Sequence, residues 1–266
     1  MDFGAKRILD GKTIVVTGSA SGIGLETARV CERLGATVLG VDYNKCFDHV
    51  EEFYKADLSD RRTIDALVGA MPDGIDGIAN IAGLPPTAPA DKVLLVNLVG
   101  LKHFTEGMAP KLNDGASIVN VASLAGFGWA QAMDAVRASM DLDFEDVPQF
   151  IDRWKVGNED GRSYFFTKEA LVVWTMANRW RWRDRGIRMN AVSPGPVETP
   201  ILKDFLETLG ERAEKDAKTM DRPGRPDDIA PVVAFMLSDM SKWIRGANIP
   251  CDGGMSSHIL SEIHGF

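Results

Sequence analysis

Tyr164 and Lys168 stand four residues apart in the run SYFFTKEA, so in a helix their side chains share one face. The phenol of tyrosine has an ordinary pKa of about 10, and a nearby ammonium lowers that pKa by stabilising the phenolate. Such a tyrosine can exchange a proton with an alcohol or carbonyl oxygen near neutral pH. This spacing also arises by chance in many helices, so a plain surface pair is the alternative. Ser123 upstream and a glycine-rich turn near the N-terminus strengthen the catalytic interpretation.

The glycine-rich turn is the run TGSASGIG, in which Gly18, Gly22 and Gly24 separate a predicted strand at 13–18 from a predicted helix at 21–35. Glycines in this context permit a tight turn and let the backbone approach a pyrophosphate at the helix N-terminus. The spacing is G-x-x-x-G-x-G, and the alternative is a glycine-rich loop without function. A P-loop is excluded, since no Gly-Lys-Ser/Thr follows.

Asp42 ends the next predicted strand, 37–42, and follows Gly24 by 18 residues. A carboxylate at this point can accept both hydroxyls of an adenosine ribose and would repel a 2′-phosphate. Ser19 in the turn supplies no positive charge for such a phosphate, and Lys45 is expected to lie past the contact. The sequence therefore favours NAD(H) over NADP(H), the alternative for Asp42 being a solvated turn carboxylate.

The elements that must position these residues alternate between short β-branched runs and amphipathic helical stretches. Near-continuous apolar strands connected by helices predict a parallel sheet covered on both faces, whose ligands bind at the carboxyl ends of the strands. The predicted fold is α/β, a doubly wound Rossmann-type sheet. The predicted strands lie at 13–18, 37–42, a short segment ending at Asp57, 74–83, 116–123, 187–195 and 247–254, and the predicted helices at 21–35, 60–71, 92–112, 163–184 and 227–240.

Composition narrows the class of protein. The chain has 266 residues, 45% of them hydrophobic, a formal net charge of −8 and a sequence pI of about 5.1. The acidic balance and the absence of a basic stripe make nucleic acid and anionic membranes improbable partners. No signal-peptide pattern or apolar run of roughly 20 residues is present. Cys31, Cys46 and Cys251 are scattered and without metal-ligand spacing, which predicts reduced thiols in a cytoplasmic protein that binds no metal.

Taken together, several motifs in this order resemble the short-chain dehydrogenase/reductase family over nearly the whole chain. The resemblance implies one Rossmann-type domain spanning 1–266, a nicotinamide cofactor and a homo-oligomer. The residues that carry it are TGSASGIG, Asp57–Leu58, NIAG at 80–83, Asn97, Ser123, Tyr164 with Lys168, PGPVETP at 194–200 and DGG at 252–254.

The resemblance also implies where the cofactor binds. Asp57 and Leu58 would lie against adenine, while Asn80, Ala82 and Gly83 would line the adenosine ribose and the cleft wall. The 194–199 loop would embrace the nicotinamide and its phosphate. The full expected set is Gly18, Ser21, Gly22, Ile23, Gly24, Asp42, Asp57, Leu58, Asn80, Ala82, Gly83, Tyr164, Lys168, Pro194, Gly195, Val197 and Thr199.

The catalytic residues of the family correspond to Asn97, Ser123, Tyr164 and Lys168. The resemblance implies that Tyr164 is the acid/base, that Lys168 lowers its pKa and bonds the nicotinamide ribose, and that Ser123 orients the substrate oxygen. Asn97 would hold a water linking Lys168 to solvent. As alternatives, Ser123 could merely end a strand, and Asn97 could be a helix-interior residue satisfied by backbone.

Ser123 and Tyr164 are 41 residues apart, where the family usually has about a dozen residues between strand and helix. The extra stretch, 126–161 (the insertion), has helical periodicity and enough apolar residues to argue against disorder. It is expected to rise beside the active-site mouth or to pack on the neighbouring long helix used by family tetramers, so a homodimer is favoured and a tetramer is possible. The insertion resembles a branch of the family that acts on coniferyl-type alcohols and 3α-hydroxysteroids.

An apolar pocket over the nicotinamide would suit a flat aromatic or alicyclic alcohol. Its candidate residues are Leu84, Pro85, Phe127, Trp129, Ile201, Leu202 and Phe205, which could instead be ordinary loop-anchoring hydrophobes. The segment 198–220 is expected to work as a lid.

The sequence thus predicts an NAD(H)-dependent oxidoreductase that interconverts an alcohol and its carbonyl, with an aromatic, coniferyl-type alcohol as the first substrate hypothesis. A 3α-hydroxysteroid or other cyclic secondary alcohol is the alternative. A more distant alternative is a non-catalytic, dinucleotide-sensing regulator with the same fold. Such a protein need not keep the four catalytic residues, whereas this chain has all four. A reductase of carrier-bound acyl chains would need a basic docking patch, against which the acidic balance argues.

Overall fold

A seven-stranded parallel sheet forms the centre of the molecule in the computed structural model, which describes residues 7–210 and 219–266. The strand order is β3-β2-β1-β4-β5-β6-β7, so the order reverses between β1 and β4, the switch point at which ligands of such sheets bind. This architecture confirms the predicted fold class. The strands are β1 Thr13–Thr17, β2 Thr37–Asp42, β3 Glu52–Lys55, β4 Ile75–Asn80, β5 Leu112–Val121, β6 Arg188–Pro194 and β7 Asn248–Cys251.

Helices cover both faces of the sheet, which explains why its strands are apolar almost without alternation. On one face of the sheet, Ala28 and Val233 belong to one buried apolar cluster. On the opposite face, Ile64, Phe104 and Leu171 belong to a second cluster. The α-helices are α1 Gly22–Arg33, α2 Arg61–Ala70, α3 Ala90–Leu94, α4 Leu101–Met108, α5 Met133–Ala138, α6 Val147–Trp154, α7 Arg162–Ala177, α8 Leu202–Leu209, α9 Pro226–Leu237 and α10 Met255–His264.

Several element boundaries differ from the sequence expectations. The third strand ends at Lys55, two residues before Asp57, and the helix expected at 163–184 ends at Ala177. The helix expected at 92–112 begins at Ala90 and ends at Met108, and it contains a π-helical turn at Leu95–Gly100. The sequence reasoning also missed α10, which follows two glycines with positive φ that turn the chain after β7.

The insertion is helical, as predicted, and contains α5, α6 and short 3₁₀ turns. Its apolar side chains form a third buried cluster, in which Val136 and Phe150 join Leu98 of the π-helical turn and Phe166 of α7. The insertion thus packs on the long helix α7, and Phe127 and Gly128 near its start also line the cavity beside the site. Lys102 adds a polar tie, because its ammonium donates to the Ser139 carbonyl at 2.8 Å.

A helix that crosses a bilayer needs about 20 predominantly apolar residues. Within residues 7–210 and 219–266, no helix has both the length and the hydropathy to cross a membrane.

Candidate active site

A large cavity of about 1230 Å³ opens at the carboxyl ends of the strands. It runs from the glycine-rich turn, past the ends of β2 and β4, to Ser123 and helix α7, and α8 forms part of its wall. Its volume exceeds the few hundred to a thousand cubic ångströms of an ordinary small-molecule pocket. The cavity therefore has room for an extended ligand together with a smaller one.

The glycine-rich turn is packed so closely that only glycine fits at its key positions. Gly18 has φ +75°, and a Cβ there would lie 2.9 Å from the backbone of Ala82. A Cβ on Gly24 would lie 1.9 Å from the carbonyl oxygen of Gly18. Helix α1 begins at Gly22, which lines the cavity, so the unpaired N–H groups of its first turn lie at the cavity wall. Such a helix start attracts a phosphate.

Asp42 ends β2 at the cavity wall, where its carboxylate is held by backbone donors. One oxygen accepts from the Ala20 amide at 3.0 Å and the other from the Asn44 amide at 2.8 Å. Lys45 is not among the described residues that line the cavity. The negative charge of Asp42 is therefore not offset by that lysine at this wall, as the sequence argument for NAD(H) required.

Asp57 and Leu58 line the cavity beside this site. The carboxylate of Asp57 accepts hydrogen bonds from the amide and the hydroxyl of Ser59, at 2.8 and 2.7 Å. Lys92 in turn donates to the Ser59 hydroxyl at 3.2 Å. Asp57 is thus an oriented acceptor at the expected adenine end.

Asn80 was expected to line the adenosine ribose and the cleft wall. It is not among the described residues that line the cavity, so this expectation is corrected. The side chain is 1% exposed, and its amide nitrogen donates to Thr105 at 2.9 Å and to Asn120 at 2.8 Å. These buried partners hold the amide beneath the end of β4. The neighbouring Ala82 and Gly83 do line the cavity.

The loop after β6 borders the cavity next to the glycine-rich turn. Pro194, Gly195, Val197 and Thr199 all line it, as expected. A Cβ on Gly22 would lie 3.1 Å from the Thr199 methyl group, so this loop reaches the start of α1. Two segments far apart in sequence thus form one continuous wall.

Ser123, Tyr164 and Lys168 are brought together at the inner end of the cavity. Ser123 follows β5, while Tyr164 and Lys168 lie one turn apart on α7. The side chains of Ser123 and Tyr164 hydrogen bond. The Lys168 ammonium lies 5.5 Å from the centroid of the Tyr164 ring and donates to the Val121 carbonyl at 2.9 Å.

The pKa values of the pair are set by burial. Burial raises the pKa of Tyr164 to about 12, and the hydrogen bond from Ser123 offsets only part of this. Burial also lowers the pKa of Lys168 to about 8, because a charged group loses its hydration inside the protein. Burial thus sets the direction of the Tyr164 pKa in this cavity, and the lowering of that pKa by Lys168 stays a prediction.

Asn97 lies in the π-helical turn, fully buried and outside the described lining of the cavity. Its amide makes two hydrogen bonds with the backbone of Leu84, accepting from the N–H at 2.7 Å and donating to the C=O at 3.0 Å. These contacts match the alternative given for Asn97, a residue inside a helix whose side-chain amide forms its hydrogen bonds with backbone groups. Because Leu84 lines the cavity, Asn97 fixes one of its walls.

The expected substrate residues form an apolar region next to Tyr164, with one exception. The rings of Phe205 and Tyr164 meet edge to face with centroids 4.8 Å apart. Trp129 was expected in the substrate pocket, but it packs against the core cluster that contains Leu171. It is not among the described residues that line the cavity. The expected residues that do line the cavity are Leu84, Pro85, Phe127, Ile201, Leu202 and Phe205.

The expected lid at 198–220 is described in part, and residues 211–218 lie outside the described residues. Helix α8 lies over the cavity and contributes Phe205 and Leu206 to its lining. Thr87 donates to Asp204 at 2.5 Å and so connects α8 to the loop after β4.

Sequence reasoning missed several lining residues. Phe165 and Glu169 lie four positions apart on α7 and form the stripe next to that of Tyr164 and Lys168, and the helical period alone gives no reason to expect this second stripe at the cavity. Ile259 lies on the unpredicted helix α10 and had no local signal. Over residues 7–210 and 219–266, no cluster of His, Cys, Asp and Glu suits a metal ion.

Comparison with known proteins gives consistent matches over most of the chain. The short chain dehydrogenase model matches residues 12–139, and a model described as enoyl-(acyl carrier protein) reductase matches residues 152–256. The chain is 43% identical over 252 residues to a coniferyl-alcohol dehydrogenase of a Pseudomonas species, covering 94% of this chain and 98% of the relative.

Two further relatives carry steroid dehydrogenase names. A 3-alpha-hydroxysteroid dehydrogenase/carbonyl reductase of Comamonas testosteroni is 29% identical over 250 residues, covering 92% of this chain and 96% of the relative. The crystal structure of a 3-alpha-hydroxysteroid dehydrogenase from Pseudomonas sp. B-0831, complexed with NADH, superposes with a TM-score of 0.80 at 28% identity, covering 94% of this chain and 99% of that one.

Proposed function

This chain belongs to the short-chain dehydrogenase family, and on that premise we propose that it is an NAD(H)-dependent oxidoreductase that interconverts an alcohol and its carbonyl. The observation that carries the proposal is the convergence of Ser123, Tyr164 and Lys168 at the inner end of a cavity with a glycine-rich helix start at its other end. A bound nicotinamide supplies hydride exchange with the carbinol carbon. The residues supply binding, orientation and the proton.

The residues present fit the dinucleotide. The glycine cradle at Gly18–Gly24 and the start of α1 suit the pyrophosphate, and Asp42 suits the two hydroxyls of the adenosine ribose. Asp57 and Leu58 suit the adenine, and the 194–199 loop suits the nicotinamide end. Asp42 and its backbone donors support NAD(H) over NADP(H).

The choice of cofactor is tested by Asp42→Ala. Removing the carboxylate removes both an acceptor for the ribose and a repulsive charge, so the ratio of kcat/KM for NAD over NADP is expected to fall about 10-fold. Steady-state kinetics with both cofactors measures the ratio. A ratio equal to that of the wild type would contradict the assignment of Asp42.

Tyr164 is the proposed proton-transfer group. In carbonyl reduction its neutral phenol, stabilised by burial, donates a proton to the carbonyl oxygen as that oxygen becomes negative. In alcohol oxidation the phenolate must accept the hydroxyl proton, and positive charge nearby assists this. Ser123, bonded to the same phenol, orients the substrate oxygen and stabilises negative charge on it.

Lys168 and Asn97 act behind the reacting atoms in this proposal. Lys168 is positioned by the Val121 carbonyl to bond the nicotinamide ribose. Asn97 supports the site by fixing Leu84, and its predicted water link to Lys168 stays a prediction.

As substrate we propose an aromatic alcohol of the coniferyl type. Similarity to a coniferyl-alcohol dehydrogenase supports this, as do the apolar walls beside Tyr164, which include Leu84, Phe127 and Phe205. Flat aromatic rings suit such walls. The alternative, a 3α-hydroxysteroid or another cyclic secondary alcohol, has the support of relatives at 28–29% identity.

A substrate panel tests the two candidates. Purified protein with NAD is assayed against coniferyl alcohol, cyclohexanols and 3α-hydroxysteroids, and kcat/KM is compared. The proposal expects the highest value for coniferyl alcohol. A preference for steroids by orders of magnitude would reject the first candidate and select the second.

Further proposals concern the whole molecule. The chain is proposed to fold as one domain over 1–266, with 198–220 acting as a lid. It is also proposed to function in the cytoplasm, consistent with its free cysteines. A homodimer is proposed because the insertion covers part of the α7 face with its own apolar cluster. Light scattering measures the oligomeric state, and a tetramer would contradict the last proposal.

A further inference from the structure

Glu169 is a charged side chain in the cavity lining that the proposed chemistry does not use. It follows Lys168 on α7, its side chain is only 7% exposed, and it lines the cavity. The neighbouring walls are apolar and include Phe127 and Phe165. A buried carboxylate in such a place is costly unless something binds it.

Arg162 holds this carboxylate in a fixed orientation. Its two terminal nitrogens donate to the two Glu169 oxygens at 3.0 and 2.7 Å. A bidentate pair of this kind is geometrically specific. Each carboxylate oxygen has two lone pairs, so one acceptor position per oxygen is left after the contacts with Arg162.

Stability does not account for the pair. Both residues belong to α7, so the pair connects no separate elements. Arg162 is the first residue of the helix, where the helix dipole disfavours a positive charge. A buried ion pair also gives little net stability, because desolvation offsets its attraction. A role in ligand recognition explains the pair better.

The carboxylate lies at a definite place relative to the chemistry. Glu169 follows Tyr164 by five positions on α7, so its Cα lies roughly 7.5 Å further along the helix axis. A Cβ placed on Gly128 would lie 3.2 Å from a Glu169 oxygen, so the carboxylate faces the loop that follows Ser123. Tyr164 and Glu169 both line the cavity, so a ligand bound there can contact the two side chains.

Resting on the proposed function, we propose that Glu169 accepts a hydrogen bond from the ring hydroxyl of a 4-hydroxyaryl alcohol, with Arg162 as its positioning residue. The substrate would then be held at two points, the carbinol oxygen at Ser123 and Tyr164 and the phenol at Glu169. The site would select phenolic allylic alcohols over the same alcohols without the ring hydroxyl.

The test compares Glu169→Leu, Glu169→Gln and wild type on 4-hydroxycinnamyl alcohol and on cinnamyl alcohol. In Glu169→Leu, the loss of kcat/KM on the phenolic substrate is expected to exceed the loss on cinnamyl alcohol by about 10- to 100-fold, the range for a hydrogen bond to a charged acceptor. Glu169→Gln keeps an acceptor and should lose less. Glu106→Gln, which removes a surface partner of Arg181, is the matched control and should leave the ratio unchanged.

Equal losses on both alcohols would assign Glu169 a merely structural role and overturn the inference, as would no loss on either. Calorimetric titration of both alcohols in the presence of NADH, where an alcohol cannot react, measures the same selectivity without turnover. A wild type that oxidises neither alcohol would refute the proposed function. The dissociation constant of cinnamyl alcohol divided by that of 4-hydroxycinnamyl alcohol would still decide the role of Glu169. This ratio is expected to decrease in Glu169→Leu.

Discussion

The cofactor half and the substrate half of the cavity are built in different ways. The cofactor half consists of short contiguous motifs at strand ends, such as Gly18–Gly24, Asp42 and Asp57–Leu58. The substrate half combines single side chains from remote elements, among them Leu84 and Ile259. A dinucleotide needs backbone geometry and a carboxylate at set positions, whereas a substrate pocket needs only a shape. The first therefore leaves a pattern in the sequence and the second does not.

The largest expected effect separates binding from chemistry. Tyr164→Phe removes the proton donor and the hydrogen bond with Ser123 while leaving the ring that packs on Phe205. Turnover is expected to fall about 1000-fold or more, with NADH affinity nearly unchanged. Kinetics and NADH fluorescence titration measure the two quantities. Turnover at the wild-type level in this variant would refute the catalytic assignment.

Lys168 lies where the cofactor half and the substrate half of the cavity meet, and its burial makes the stability of the protein depend on pH. Its pKa is about 8 in the folded protein and about 10.5 in the unfolded chain, so between these pH values the unfolded chain binds more protons and stability rises with pH. Relative to Lys168→Met, the wild type should thus gain about 3 kcal/mol of unfolding free energy from pH 8 to 10.5. Denaturant unfolding at several pH values measures the difference.

Lys102, whose pKa burial also lowers to about 8, is present in both proteins and cancels from this comparison. Stability curves of wild type and Lys168→Met that run parallel over pH 8 to 10.5 would show that Lys168 is not desolvated as described.

Gly24→Ala tests the cofactor half. The added methyl would lie 1.9 Å from the Gly18 carbonyl, so the turn must shift, at a cost of about 1–3 kcal/mol in stability and with weaker NADH binding. Gly69→Ala is the control, because a Cβ there meets nothing within 4 Å and alanine favours a helix by about 1 kcal/mol. Thermal unfolding and NADH titration that could not distinguish the two variants would contradict the close packing of the turn.

Phe205→Ala tests the substrate half and has the smallest expected effect. Loss of its edge-to-face contact with Tyr164, worth about 0.5–1.5 kcal/mol, should lower kcat/KM for an aromatic alcohol roughly 2- to 10-fold. NADH affinity should not change. A larger effect on NADH binding than on substrate kinetics would mean that α8 belongs to the cofactor half.

The corrections follow the same division. Ala82 and Gly83 line the cavity as their motif implied, but Asn80 is the last residue of β4 and its amide is used up by the buried partners Thr105 and Asn120. Trp129 was assigned by its apolar character alone, which does not distinguish a cavity wall from the core. The pKa of Tyr164 depends on burial, and burial is not visible in a spacing of four residues.

The sequence by itself determined the fold class, the family, the glycine-rich turn with Asp42, and the Ser123, Tyr164 and Lys168 set. It could do so because these features need particular residue types at short, regular spacings. Only the tertiary structure decided that the insertion packs on α7 and that Asn97 hydrogen bonds to the backbone of Leu84. It also decided that Glu169 lines the cavity with its carboxylate held by Arg162. Those facts depend on contacts between segments far apart in the chain, or on which face of a helix meets the cavity, and hydrophobic periodicity does not specify either.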